Sequence, residues 1–262
     1  MTLQKAGHTA FEVSGDGPFV VLIHGLGLHR HMWQWQIDSL TAHFRVVTYD
    51  LLGHGESDDV GGDYQMAQMV QQMSELLDHL NIKRCAVVGF SLGGLIAQAF
   101  AIAHPQAMQR LVILNSAHNR SDDQRAGIMK RVRQAAELGP EATVSDALAR
   151  WFTDEFANSN ADILLKIRQW IVANDRQVYP RLYRLLAIGD AGLEKSISQI
   201  SCPTLVITGE EDFGNSPAMA ESMAALIPNA RAVILPRLRH MALIENARGV
   251  NDLIVPFLQG QS

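Results

Sequence analysis

Three polar residues, widely separated in the 262-residue chain, have the side-chain types that acyl transfer demands. Ser91 sits in Gly89-Phe90-Ser91-Leu92-Gly93, a G-x-S-x-G pattern that directly follows the apolar run Cys85 to Phe90 and directly precedes an apolar helical stretch. A serine held at a tight strand-to-helix turn projects its Oγ from the sheet edge, and flanking glycines are needed because the turn is strained and the helix packs close. A hydroxyl is a poor nucleophile near neutral pH, so it requires a base within hydrogen-bond reach and a third group to orient that base. His240, after the last strand-like run, is the candidate base, because imidazole exchanges protons near pH 7. Asp212, third past Gly209, is the candidate orienting acid, with Glu211 as its alternative. Negative charge also develops on the attacked carbonyl oxygen and needs preorganised donors. The backbone amides of Leu92, just after the serine, and Leu26, in the glycine-bearing "HGLGLH" loop, are the candidate oxyanion hole.

Bringing these groups together requires a scaffold whose strand ends converge. Phe19 to His24, Arg45 to Asp50, Cys85 to Phe90, Leu111 to Asn115, Thr204 to Gly209 and Arg231 to Leu235 are apolar on consecutive residues, the pattern of parallel strands covered on both faces. All six are expected to be central strands. Met66, Met69, Val70, Met73, Leu76, Leu77 and Leu80 recur at three- and four-residue steps, the stripe of a helix laid on such a sheet. Leu95 to Ala103, Pro217 to Ile227 and Ala247 to Leu258 are further expected helices. Strand and helix alternation gives a doubly wound α/β sandwich, with ligands bound at the carboxyl ends of the strands.

From about His118 to Asp190 the alternation stops and only helical segments remain, so 118–190 is expected to be a helical cap inserted into a core made of 1–117 and 191–262. Eleven of the 22 Lys and Arg but only ten of the 27 Asp and Glu fall in that insertion. "NSAHNRSDDQ" and "LLAIGDAGL" are the expected hinges. Among the ten histidines, His8, His43, His79 and His104 are expected at the surface, His24 and His54 to brace the loops that contain them, and His118 to line the cleft beneath the cap.

Composition excludes several classes. A net charge of −5 supplies no basic field that would recruit nucleic acid or an anionic membrane. Cys85 and Cys202 stand at no metal or redox spacing and read as reduced packing thiols. No apolar run approaches a membrane span, and the amino-terminal stretch lacks the apolar segment of a secretion signal, so the expected location is cytoplasmic. A homo-oligomer is compatible with the sequence.

"HGLG", "YDLLGHGES", "GFSLGG", "GEED" and "RHMALIENA" occur in an order by which the chain resembles the α/β-hydrolase family over practically its whole length. The resemblance implies an eight-stranded, mostly parallel sheet flanked by helices, a helical cap after the sixth strand, and no metal or organic cofactor. Within the family, "HMWQWQIDSLTAHFRVVTYD" and "SDALARWFTDEF" resemble the 3-oxoadipate enol-lactonases, which open a small acidic enol-lactone in aromatic catabolism. Two departures concern the pocket: those lactonases often carry Asn-Ser where this chain has His24-Gly25, and Leu-Ser-Asn where it has Met241-Ala242-Leu243. The implied activity is hydrolysis of a small carboxylic ester or lactone through an acyl-enzyme. An anionic substrate would then meet a cap arginine, for which Arg133 and Arg150 are candidates, with Trp151 as an apolar wall. A carbon–carbon hydrolase of vinylogous diketones, a general carboxylesterase or perhydrolase, and a non-catalytic ligand receptor are the competing readings.

Overall fold

A computed structural model describes residues 2–261. Eight strands form one sheet: β1 (Gln4–Ala6), β2 (Thr9–Ser14), β3 (Phe19–Ile23), β4 (Arg45–Tyr49), β5 (Cys85–Phe90), β6 (Met108–Leu114), β7 (Thr204–Gly209) and β8 (Ala230–Leu235). Their spatial order is β1-β2-β4-β3-β5-β6-β7-β8, with β1–β2 and β2–β4 antiparallel and every other pair parallel. β5 and β7 are buried at every residue, as continuous apolar runs in a sheet covered on both faces must be.

The flanking helices are α1 (Ile37–Thr41), α2 (Met66–His79) and α3 (Leu92–Ala103) in the first half, with α9 (Pro217–Leu226), α10 (Ala242–Glu245) and α11 (Ala247–Gln259) in the last. Between β6 and β7 lie five helices and no strand: α4 (Asp122–Leu138), α5 (Glu141–Trp151), α6 (Asp154–Ser159), α7 (Ala161–Val172) and α8 (Val178–Ile188). The two segments read as hinges are tied to each other. The buried Asp190 carboxylate accepts the Arg120 backbone amide at 2.8 Å and Arg120 Nη1 at 3.3 Å, and also a two-pronged contact from Arg125 at 2.7 and 3.1 Å.

After β4 the chain crosses β3 to place β5 on its other side, so the loops leaving β3 and β5 part at a topological switch point. The register pairs Ile23 with Gly89, which sets the Leu26 loop beside the Ser91 turn.

Two sequence expectations need correction. β8 lies at the sheet's edge rather than its centre: it pairs only with β7 and is half-buried at most positions, because an apolar run against one neighbour and one covering helix needs shielding on one face only. The β1–β2 hairpin was not anticipated. β1 is only three residues long and largely exposed, so it carries no apolar run, and the hairpin is closed by a two-residue turn with Gly7 at φ +54°.

Candidate active site

Ser91 stands between β5 and α3 at φ 54°, ψ −113°, a conformation that non-glycine residues rarely adopt. Its surroundings over-determine that strain. The Ser91 amide donates to the Leu114 carbonyl at 2.9 Å, and Ser116 Oγ donates to the Ser91 carbonyl at 2.7 Å, fixing the turn to the end of β6. A Cβ on Gly89 would overlap the Gly93 carbonyl and one on Gly93 would overlap the Ile23 carbonyl, so glycine is required at both flanks.

His240 and Asp212 meet at the carboxyl ends of β8 and β7. His240 Nδ1 lies 2.7 Å from Asp212 Oδ2, with both side chains buried. Asp212 Oδ1 accepts the amides of Gly214 and Asn215 at 3.1 and 3.0 Å, while Asn115 Nδ2 donates to Oδ2 at 3.0 Å. Burial alone would raise the Asp212 pKa. The His240 charge and these donors outweigh it and hold the carboxyl below its ordinary range. Glu211, the alternative acid, faces Arg239 at 3.5 Å and is half-exposed, so the geometry selects Asp212. With Nδ1 engaged, Nε2 is the imidazole nitrogen left for the cavity. The ring is flanked by Phe90 at 4.9 Å and Trp151 at 5.7 Å between centroids.

Leu92 opens α3, where first-turn amides have no intrahelical acceptor and carry the positive end of the helix dipole. Leu26 follows Gly25, whose position leaves room for no side chain: a Cβ there would come within 2.9 Å of the Phe90 ring and 3.3 Å of Ser91 Cβ. Two buried histidines hold this loop. His54 Nε2 accepts the Gly27 amide at 3.0 Å, and His24 Nε2 accepts the Leu51 amide at 2.9 Å while its Nδ1 donates to the Gly25 carbonyl at 2.8 Å. A nitrogen that accepts an amide cannot carry a proton, so both rings are neutral, and burial pushes each pKa down to about 3.

Ser91, His240 and Asp212 line one cavity of about 300 Å³, together with Leu26 from the β3 loop and with Arg150 and Trp151 from α5. Two candidate residues fall outside it. Arg133 is exposed, because the stripe that α4 turns toward the cavity runs through Gln124, Ile128 and Arg131, and a residue two positions past Arg131 projects from the opposite side. His118 is buried but does not line the cavity; its pKa is lowered by burial, against the opposing charges of Glu194 and Asp190. Arg120, Arg131, Tyr179 and Tyr183 do line it and were not anticipated. The signal for them was helical phase: Tyr179 and Tyr183 are one turn apart on α8, and Arg131 is one turn from the apolar Ile128.

The fold and this constellation define a hydrolase class. The alpha/beta hydrolase fold family matches residues 18–247, and the chain belongs to that family. Among its relatives, the (E)-2-((N-methylformamido)methylene)succinate hydrolase of Acinetobacter baylyi is 29% identical over 94% of this chain and 92% of its own length. The 3-oxoadipate enol-lactonase 2 of the same organism is 28% identical over 91% and 88%. The crystal structure of the enol-lactonase from Burkholderia xenovorans LB400 superposes with a TM-score of 0.91 at 31% identity, covering 98% of this chain and 100% of that one. Among the described residues no helix is long and apolar enough to cross a membrane, and no group of three or more His, Cys, Asp or Glu could hold a metal ion.

Proposed function

We propose that the chain is a serine hydrolase that opens a small carboxylic ester or lactone through an acyl-enzyme. The observation that carries this reading is the shared cavity: a strained serine at its floor and a buried His–Asp pair on its wall. In this reading His240 Nε2 takes the proton of Ser91 as Oγ attacks the substrate carbonyl, and Asp212 holds the imidazole in the tautomer with Nδ1 protonated and stabilises the imidazolium. The amides of Leu26 and Leu92 receive the developing oxyanion. His240 then gives its proton to the leaving oxygen. Water attacks the acyl-serine by the same steps in reverse, releasing the acid and restoring the serine.

The finer reading, an acidic enol-lactone, is supported by the names of relatives that match over about nine-tenths of both chains, one a 3-oxoadipate enol-lactonase and one a hydrolase of a methylene succinate. The cavity's size suits a substrate of that scale. No nucleic acid or membrane partner enters this reading, and all its chemistry lies within one chain.

Fluorophosphonate labelling mapped to the peptide containing Ser91, paired with assays on a small ester and a small enol-lactone, tests it. Labelling of Ser91 with turnover of either substrate is expected. An unlabelled serine with no turnover would favour a ligand receptor instead.

A further inference from the structure

Two guanidinium groups face the cavity with no carboxylate of the protein to match them. Arg131 on α4 and Arg150 on α5 both line it, and among the described residues neither forms an ion pair within 4.0 Å. The nearby acids are committed elsewhere. Asp190 takes Arg120 and Arg125, and Asp212 takes His240, Asn115 and two loop amides. Asp146, one turn before Arg150, is exposed.

Arg131 is oriented rather than free. Its Nε donates to Tyr183 Oη at 2.8 Å, which fixes one edge of the guanidinium and leaves the edge made by the two Nη groups. Arg150 is disfavoured as a cation first by burial and then by the Arg131 charge beside it, so its pKa is lowered. Two like charges gathered in a partly desolvated cavity are unfavourable unless something else compensates them. A carboxylate is the group that a planar guanidinium binds best, through two parallel charge-assisted hydrogen bonds.

We propose that Arg131 and Arg150, with Arg131 aimed by Tyr183, form a carboxylate subsite, and that the cavity selects small esters or lactones bearing a carboxylate remote from the scissile carbonyl. This rests on the hydrolase reading above and adds to it the residues that set substrate charge. Ser91 and His240 reach the cavity from the strand ends of the sheet, the arginines come from the cap, and Leu26 and Leu28 add apolar lining.

The test compares kcat/KM for monomethyl glutarate, an anion, with that for methyl pentanoate, its neutral counterpart of similar shape. The expected wild-type ratio favours the anion by about 100-fold or more, in line with a desolvated charge-assisted contact. Arg131→Gln and Arg150→Gln should each lower that ratio by roughly 30-fold, chiefly through KM. Arg131→Lys should recover part of it, since charge is restored without the fork. Arg133→Gln, on the exposed side of the same helix, should leave the ratio as in wild type. Independently of turnover, monomethyl glutarate should bind the Ser91→Ala protein by calorimetry more tightly than neutral methyl pentanoate does, and this preference should vanish in Ser91→Ala/Arg131→Gln. A wild-type ratio near one, or a ratio untouched by both glutamine variants, would overturn the subsite while leaving the hydrolase reading intact. Absent turnover and absent labelling of Ser91 would overturn the hydrolase reading, and the monomethyl glutarate titration would still decide whether the arginine pair takes an anion.

Discussion

The floor and the roof of the cavity are built in opposite ways. At the floor, the Asp212 carboxylate is fully engaged: three donors hold its two oxygens besides His240, and two neutral histidines hold the Leu26 loop. At the roof, Arg131 and Arg150 have no carboxylate of the protein. Preorganised dipoles and a fixed base suit a reaction common to many acyl groups, whereas unmatched charge suits the choice among them. Under the proposed function, chemistry falls to the sheet edge and selectivity to the cap. This division separates naturally because the floor residues sit at the carboxyl ends of packed strands, and the roof residues sit on inserted helices.

Breaking the floor should have the largest effects. Ser91→Ala is expected to lower kcat by about 10⁴-fold or more with the fold kept, checked by steady-state assay alongside circular dichroism. Asp212→Asn should lower it by roughly 10³-fold, since the amide can present N–H to Nδ1 and favour the wrong tautomer. If the loss is instead mainly in KM, Asp212 acts on binding and the proposed division fails at its centre.

The buried histidines make a separate prediction about stability. Their folded pKa values lie at about 3, below the ordinary value of 6.5, so the unfolded chain binds more protons as pH falls. The stabilisation is therefore full above pH 6.5 and is lost progressively down toward pH 3. Between pH 7 and pH 5 the pair should cost about 4 kcal/mol of unfolding free energy, measured by urea titration. His54→Gln, which keeps an acceptor for the Gly27 amide, should remove about half of that dependence.

The tie at the base of the cap makes a further prediction about stability. Asp190→Asn leaves the buried Arg120 guanidinium without its carboxylate and should cost about 3 kcal/mol in urea unfolding, with earlier proteolysis in 118–190 than in the strands. Equal protection of both regions would mean that the cap and core open as one unit.

How much of this was legible in the sequence follows the same division. Ser91, Asp212 and His240 could be read because strand ends are marked by apolar runs and the serine turn by obligatory glycines. Glu211 and Asp212 could not be separated with certainty, since adjacent residues differ only in which way the loop turns, and it is Asp212 that receives Asn115 from β6's far end. In the cap, the sequence reading names Arg133 and Arg150 and passes over Arg131, although Arg131 and Arg133 project on opposite sides of α4. The phase of an inserted helix is set by how it docks on α5, α8 and the core, and in α4 the apolar residues Ile128 and Val132 mark that face only sparsely among charged neighbours. The place of His118 at the hinge suggests the cleft, yet its side chain is buried outside the cavity. β8 read as central because an apolar run does not reveal whether a neighbour stands on both sides.

The acyl-enzyme itself is the most direct test of the account. Acid quenching of the wild-type protein during its first turnovers of p-nitrophenyl acetate, followed by peptide mass mapping, should find one acetyl group on Ser91 and none in Ser91→Ala. Turnover without an adduct, or an adduct on another residue, would contradict it.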